Sequence, residues 1–186
     1  MVTLTMTSLL SAPKKSYAGE VIPLVGDIMP TPGYFTALAG IIATQKDATI
    51  LIASNGGSLD LMETLLVEMK KKQDKGIKFT CVIEHAYSAA FLLMTYCDKR
   101  QAYSNSNFMQ HRVRTMLFPN MYTEERLKEL YEDLVRSNKE WEERNVKQLP
   151  GVSRDFIKKA MTEEMYISGA GMEALMPGGW IEIITR

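Results

Sequence analysis

The formal net charge of this chain is zero. Its 22 Lys and Arg residues balance 22 Asp and Glu residues, so no overall field would draw it to nucleic acid or to an anionic membrane. Long apolar runs are also missing, because the longest one, residues 89–94, is far too short to cross a bilayer. The sequence therefore predicts a soluble protein that binds neither nucleic acid nor membrane.

Cysteine is scarce, and its spacing excludes further classes of site. Cys81 and Cys97 each lie among apolar neighbours and form no CxxC pair, so we expect buried, reduced thiols and neither metal nor redox chemistry. No Lys or Arg precedes the apolar residues of the first 13 positions, as an export signal would require. A reducing cytoplasm is the expected location.

The 186 residues fit one compact domain, which we place at residues 19–186 after an uninformative segment, residues 1–18. Apolar runs predict strands at residues 20–26, 48–53, 77–83, 101–103, 107–110 and 180–184. Periodic apolar residues predict two helices, one over residues 34–44 and one after Ser58. The first should bury Phe35, Leu38, Ala39 and Ile42, and the second Leu59, Met62, Leu65, Leu66 and Met69. This alternation of strand and helix predicts an α/β layer structure with right-handed crossovers.

A charge-rich segment, about residues 123–149, predicts a long helix that ends at Pro150-Gly151, and a shorter helix is expected over residues 153–161. The long helix has one thin apolar stripe, formed by Leu127, Leu130, Tyr131, Leu134 and Trp141. We expect this helix to project from the body and meet another subunit. The alternative is a solvated helix packed on its own domain.

Ser88 and His111 are the candidate pair for nucleophilic catalysis. A serine hydrolase needs a hydroxyl on a rigid, exposed turn and an imidazole within reach. Ser88 lies between an apolar strand and an apolar helix among small alanines, and His111 closes a strand-like run. His85, the second of the two histidines, fits a core or interface residue better than a base. A small residue chosen only for packing is the alternative interpretation of Ser88.

The Gly56-Gly57 turn after a buried strand is the candidate anion-binding element. Without side chains its backbone amides can approach a negative charge closely, although a plain strand-to-helix turn needs glycine equally often. The segment does not match the GxxxxGK[ST] pattern of nucleotide-binding loops.

Taken in order, these segments resemble the Clp protease proteolytic subunit and its phage-encoded relatives in the crotonase-like superfamily. The resemblance runs from about Glu20 to the carboxyl terminus and is carried by the sequences ASNGGS at residues 53–58, AYSAAFLL at 86–93 and NSNFMQH at 105–111. It implies repeated ββα units with a long projecting handle helix. The segment Tyr166-Ile-Ser-Gly169 is similar to the one that follows the family's catalytic acid, which implies Glu164 as that acid, with Glu163 as the fallback.

The resemblance also implies the remaining site residues. The N–H groups of Gly57 and Ala89 would hold the oxyanion, and an extended peptide would contact Gly56, Ser58, Leu59, Arg112, Val113 and Arg114. No cofactor or metal is implied. The chain departs from the family pattern in Asn55 of the glycine turn, in Tyr87 before the nucleophile and in Arg112-Val113 after the histidine.

The resemblance further implies ATP-independent peptide hydrolysis inside stacked homo-oligomeric rings, as hexameric or heptameric layers, with residues 1–18 flexible or lining the entrance pore. An AAA+ unfoldase is a further possible partner. Three alternatives stay open at this point: a non-catalytic ring subunit, a phage capsid-maturation peptidase and a crotonase-type enzyme acting on acyl-CoA thioesters.

Overall fold

The computed structural model describes residues 19–115, 122–176 and 178–185. The segment 1–18, predicted to be flexible or to line a pore, lies outside the described residues. Strands and helices alternate through β1 (Glu20–Val25), α1 (Pro32–Ala43), β2 (Ala48–Ser54), α2 (Leu59–Gln73), β3 (Phe79–Tyr87), α3 (Ala89–Thr95) and β4 (Lys99–Met109). They continue through α4 (Glu124–Gln148), α5 (Arg154–Glu163), β5 (Tyr166–Ser168), α6 (Gly169–Leu175) and β6 (Glu182–Ile184).

The strands form one mixed sheet, which confirms the α/β prediction. β1, β2, β3 and β4 are parallel and lie side by side in chain order, with β1 at one edge. β5 pairs antiparallel with the end of β4, and β6 pairs parallel with its start. The repeat through residues 20–109 is strand–helix, so the implied ββα repeat is not what these residues form.

β4 joins what the sequence predicted as two separate strands. Its pairing with β3 runs from Lys99 to Ala102 and resumes at Asn107, so the ladder is interrupted between them. Buried Ser106 spans this interruption, because its hydroxyl donates to the Ile83 carbonyl at 2.7 Å and accepts from the Tyr103 N–H at 2.9 Å. One continuous strand therefore carries the chain to His111.

The core lies between the sheet and the helices, and α1, α2 and α3 pack side by side. The predicted face of α2 is confirmed, since Met62, Leu65, Leu66 and Met69 are buried. The predicted face of α1 is wrong: Phe35 and Ile42 are exposed, and the helix buries Tyr34, Ala37 and Ile41. The apolar residues surround this short helix, so their spacing alone did not fix which side meets the sheet.

Helix α4 has two unlike halves. Leu127, Tyr131 and Val135 in its first half are 43%, 67% and 52% exposed, whereas Trp141 and Asn145 in its second half are buried. The first half therefore exposes apolar side chains to solvent in this chain, and its projection from the body remains a prediction. Contact of that half with another subunit remains a prediction. No helix within the described ranges combines the length and apolar character needed to span a bilayer.

The cysteine prediction is wrong in the structure. Cys81 on β3 and Cys97 just after α3 form a disulfide, and their Cα atoms are 5.9 Å apart. Each cysteine has apolar neighbours, as the sequence showed, but only the fold brings the start of β3 next to the end of α3. The expectation of a reducing cytoplasm rested on free thiols, and these two cysteines are not free.

Candidate active site

Three neighbouring parallel strands deliver the candidate residues to one edge of the sheet. Gly56 follows β2, Ser88 follows β3 and His111 follows β4 by two residues. The carboxyl ends of parallel strands are the usual position of ligand sites in open α/β sheets. Tyr87 and Met109 are paired in the ladder, so Ser88 and His111 leave adjacent strands at almost the same level.

Ser88 occupies a tight bend between β3 and α3. Its backbone has φ 53° and ψ −123°, a conformation that residues other than glycine rarely adopt. The bend is anchored because the Ser88 N–H donates to the Met109 carbonyl at 2.8 Å. The Ser88 side chain makes no capping hydrogen bond with α3, so its hydroxyl is not used by the helix. A strained strand–turn–helix bend of this type is how α/β hydrolases expose a nucleophile.

Gly56 lies directly against this bend. A Cβ at Gly56 would be 2.5 Å from the Tyr87 carbonyl oxygen and 2.8 Å from both the Ala89 nitrogen and the Ser88 Cβ. Its φ of 86° also favours glycine. The sequence interpretation left open whether the Gly-Gly turn was only a turn, and the contacts show that it brings the β2 loop against the Ser88 bend.

The glycine turn and the Ser88 bend each contain a backbone amide without an acceptor in the described part of the chain. Ile28 pairs with the glycine turn by donating to the Gly56 carbonyl at 2.7 Å and accepting from the Ser58 N–H at 2.9 Å. Within the described residues, the N–H groups of Gly57 and Ala89 donate to no acceptor. These are the two groups predicted for the oxyanion site, and Ala89 itself is fully buried.

An open cleft of about 600 Å³ joins the two candidate residues. Ser88 and His111 both line it, together with six of the residues predicted to contact substrate or oxyanion and three polar residues that the sequence interpretation missed. The predicted group is Gly56, Gly57, Ser58, Leu59, Val113 and Arg114, and the missed group is Asp27, Asn55 and Asp60. Arg112 does not line the cleft, although it was predicted to.

The His111 ring has a defined partner on one side. Its Nδ1 lies 2.5 Å from the Arg112 carbonyl oxygen. A carbonyl can only accept, so this contact requires Nδ1 to be the donor, and in that tautomer Nε2 is the acceptor nitrogen. No hydrogen bond joins this ring to the Ser88 hydroxyl, and both residues are within the described part of the chain.

The structure does not bring Glu164 to His111. Glu164 ends α5 in a left-handed conformation, φ 53°, and its carboxylate forms an ion pair with Arg114. The two side chains are 41% and 63% exposed. Arg114 therefore pairs with the Glu164 carboxylate, which the family resemblance assigned to the His111 imidazole. The fallback, Glu163, is an exposed residue at the end of α5.

His85 and Tyr87 belong to the β3 strand and not to the cleft lining. Their rings are 5.1 Å apart, and Tyr87 also packs edge-on against Tyr166 at 5.3 Å. Burial, together with the nearby Tyr166, raises the pKa of Tyr87, so its side chain stays a neutral phenol at ordinary pH. This arrangement agrees with the choice of His111 over His85 as the candidate base.

Helix α4 holds the segment that carries His111. The Trp141 Nε1 donates to the His111 carbonyl at 3.1 Å. Asn138 binds Val113 twice, since its Oδ1 accepts from the Val113 N–H at 2.7 Å and its Nδ2 donates to the Val113 carbonyl at 3.2 Å. Both main-chain groups of Val113 are thus in use in this structure, so a substrate would have to displace Asn138 to pair with the Val113 N–H, and that pairing stays a prediction.

The sequence interpretation treated α4 only as an interface helix and missed this role. A signal was present: Asn138, Trp141 and Asn145 recur at spacings of three and four within a segment of charged residues. Asn145 completes the set, because its buried Oδ1 accepts from Gln110 at 3.1 Å.

No protein-family model matches the sequence, and no curated protein matches it either.

Proposed function

We propose that this chain is a serine endopeptidase subunit of the Clp protease proteolytic subunit type, in which Ser88 is the nucleophile and His111 the general base. The observation that supports it most is the strained bend at Ser88, packed on Gly56 and facing the same cleft as His111. The resemblance of the motifs at residues 53–58, 86–93 and 105–111 supports the same chemistry from the sequence.

In the proposed reaction, the Ser88 Oγ attacks a peptide carbonyl carbon while the Nε2 of His111 takes the hydroxyl proton. The carbonyl oxygen becomes an oxyanion that the N–H groups of Gly57 and Ala89 stabilise. Collapse breaks the C–N bond, and the same proton passes from His111 to the leaving amine. Water then attacks the acyl-serine and gives one proton to His111, the bond between the Ser88 Oγ and the acyl carbon breaks, and His111 returns that proton to Oγ as the carboxylic acid leaves, so no ATP, metal or cofactor is consumed.

The assembly that we propose is a homo-oligomer of stacked rings in which the first half of α4 joins one layer to the other. Its support is the row of exposed Leu127, Tyr131 and Val135 in that half of the helix. Light scattering after size-exclusion chromatography tests this, and a monomer at micromolar concentration would contradict it. Unfolded chains or peptides in the cytoplasm of a bacterial or phage-infected cell are the proposed substrates.

Labelling by a fluorophosphonate probe tests the nucleophile. We expect the wild-type chain to be labelled at Ser88 and to cleave short fluorogenic peptides, and we expect Ser88→Ala to lose both. Ser104→Ala, at an exposed serine of β4, is the matched control and should keep both. Unchanged labelling of Ser88→Ala would exclude Ser88 as the nucleophile.

A non-catalytic ring subunit is the second candidate, and one observation favours it. The hydroxyl of Ser88 and the His111 ring are not hydrogen-bonded, and Glu164 is paired with Arg114. A wild-type protein that forms rings but takes up no probe and cleaves no peptide would support this candidate over the peptidase.

A further inference from the structure

We infer that Asn138 is a positioning residue for His111 and that it acts through the peptide group between Arg112 and Val113, in place of a carboxylate. The inference rests on the proposed function, since it describes how the base of that reaction is held. It concerns a residue of α4 that contacts neither Ser88 nor the imidazole.

The geometry rests on the planarity of one peptide group. The Arg112 carbonyl and the Val113 N–H belong to the same rigid unit and point in opposite directions. The N–H donates to the Asn138 Oδ1 at 2.7 Å, and the carbonyl accepts from the His111 Nδ1 at 2.5 Å. Fixing one end of this unit therefore fixes the direction of the other.

The flanking contacts keep this peptide from rotating. The His111 carbonyl before it accepts from Trp141, and the Val113 carbonyl after it accepts from the Asn138 Nδ2. Asn138 is anchored in turn, because its Nδ2 also donates to the Leu134 carbonyl at 3.0 Å. Both donors of the Nδ2 thus face carbonyl oxygens, which leaves the Oδ1 for Val113.

The consequence for His111 is a fixed tautomer. The chain of hydrogen bonds runs from the imidazole Nδ1–H through the peptide to the Asn138 Oδ1, and such chains strengthen their members by mutual polarisation. Holding the proton on Nδ1 keeps Nε2 unprotonated, which is the form that a general base requires. In serine proteases a buried aspartate performs this function. Here Glu164 is engaged by Arg114 instead.

The kinetic test compares variants along this chain of hydrogen bonds. Asn138→Leu keeps the approximate size but removes the acceptor, and we expect kcat to fall about 10- to 100-fold with KM unchanged. Asn138→Asp keeps an acceptor for the Val113 N–H but loses both Nδ2 donors, so it should recover only part of the loss. Lys139→Ala, on the exposed neighbouring residue of α4, is the control and should match the wild type.

Glu164→Gln separates this inference from the family expectation. If the peptide and Asn138 orient the ring, Glu164→Gln should keep kcat within about threefold of the wild type. If Glu164 were the orienting acid, the loss should approach the roughly 10⁴-fold seen when a triad aspartate becomes an amide. A large loss in Glu164→Gln with none in Asn138→Leu would overturn the inference.

A readout that needs no activity separates failure of the inference from failure of the proposed function. With only two histidines in the chain, ¹⁵N-histidine NMR of Ser88→Ala resolves the His111 ring, and His85→Gln in that background assigns it. We expect an Nδ1–H tautomer that shifts toward Nε2–H in Asn138→Leu. A wild-type chain without hydrolase activity but with this shift would refute only the proposed peptidase. An unshifted tautomer would refute the role of Asn138.

Discussion

The two walls of the cleft are built in different ways. The wall that carries Ser88 consists of backbone packed on backbone, with Gly56 against the strained bend and fully buried α3 behind it. The wall that carries His111 consists of a segment held by side chains of α4 and an exposed ion pair between Arg114 and Glu164. The nucleophile side is therefore fixed by the sheet itself, whereas the base side depends on a few separable contacts.

Gly56→Ala should lower the free energy of unfolding the most, because it alters the wall in which backbone packs on backbone. The added Cβ would enter a space already bounded by Tyr87, Ser88 and Ala89 in a backbone conformation that favours glycine. We expect the free energy of unfolding to fall by about 3–5 kcal/mol in urea denaturation. Gly76→Ala is the matched control: its φ is 87° but nothing lies within 4 Å, so it should cost only about 1 kcal/mol. Equal losses of unfolding free energy in Gly56→Ala and Gly76→Ala would show that packing at Gly56 is loose.

Ser88→Gly should be more stable than Ser88→Ala, and this gain in unfolding free energy should be smaller than the loss expected for Gly56→Ala. The bend at Ser88 has positive φ, and glycine adopts this conformation without steric cost. We expect Ser88→Gly to unfold at higher urea concentration than Ser88→Ala, by about 1 kcal/mol in unfolding free energy. Both variants lack the hydroxyl, so the comparison isolates the backbone. A less stable glycine variant would contradict the assignment of strain to this bend.

Arg114→Gln and Glu164→Gln should give the smallest effects. Both side chains are largely exposed, and exposed ion pairs contribute about 1 kcal/mol or less. We expect each single variant, and the double variant, to stay within about 1 kcal/mol of the wild type in unfolding free energy. A coupling energy above about 2 kcal/mol would mean that this wall is as firmly built as the other one.

Much of the first wall could be predicted from local sequence. The Gly56-Gly57 turn, the bend at Ser88 and the strands before them are encoded within a few residues each, by glycine conformation and by apolar runs. The second wall could not, because its contacts join residues 25 to 50 positions apart: Val113 with Asn138, His111 with Trp141, and Arg114 with Glu164. A family resemblance assigned Glu164 to His111, yet it could not reveal that Arg114 would take the carboxylate.

By itself, the sequence determined the alternation of strands and helices from β1 to β3 and placed a serine bend one strand before a histidine, but it split β4 in two and missed β5 and α6. These features follow from periodicity and turn chemistry, which act over short stretches of chain. Only the tertiary structure decided which face of α1 is buried, that Cys81 meets Cys97, and which group meets the Nδ1 of His111. Those outcomes depend on which distant surfaces the parallel sheet brings into contact, and short-range patterns carry no information about that.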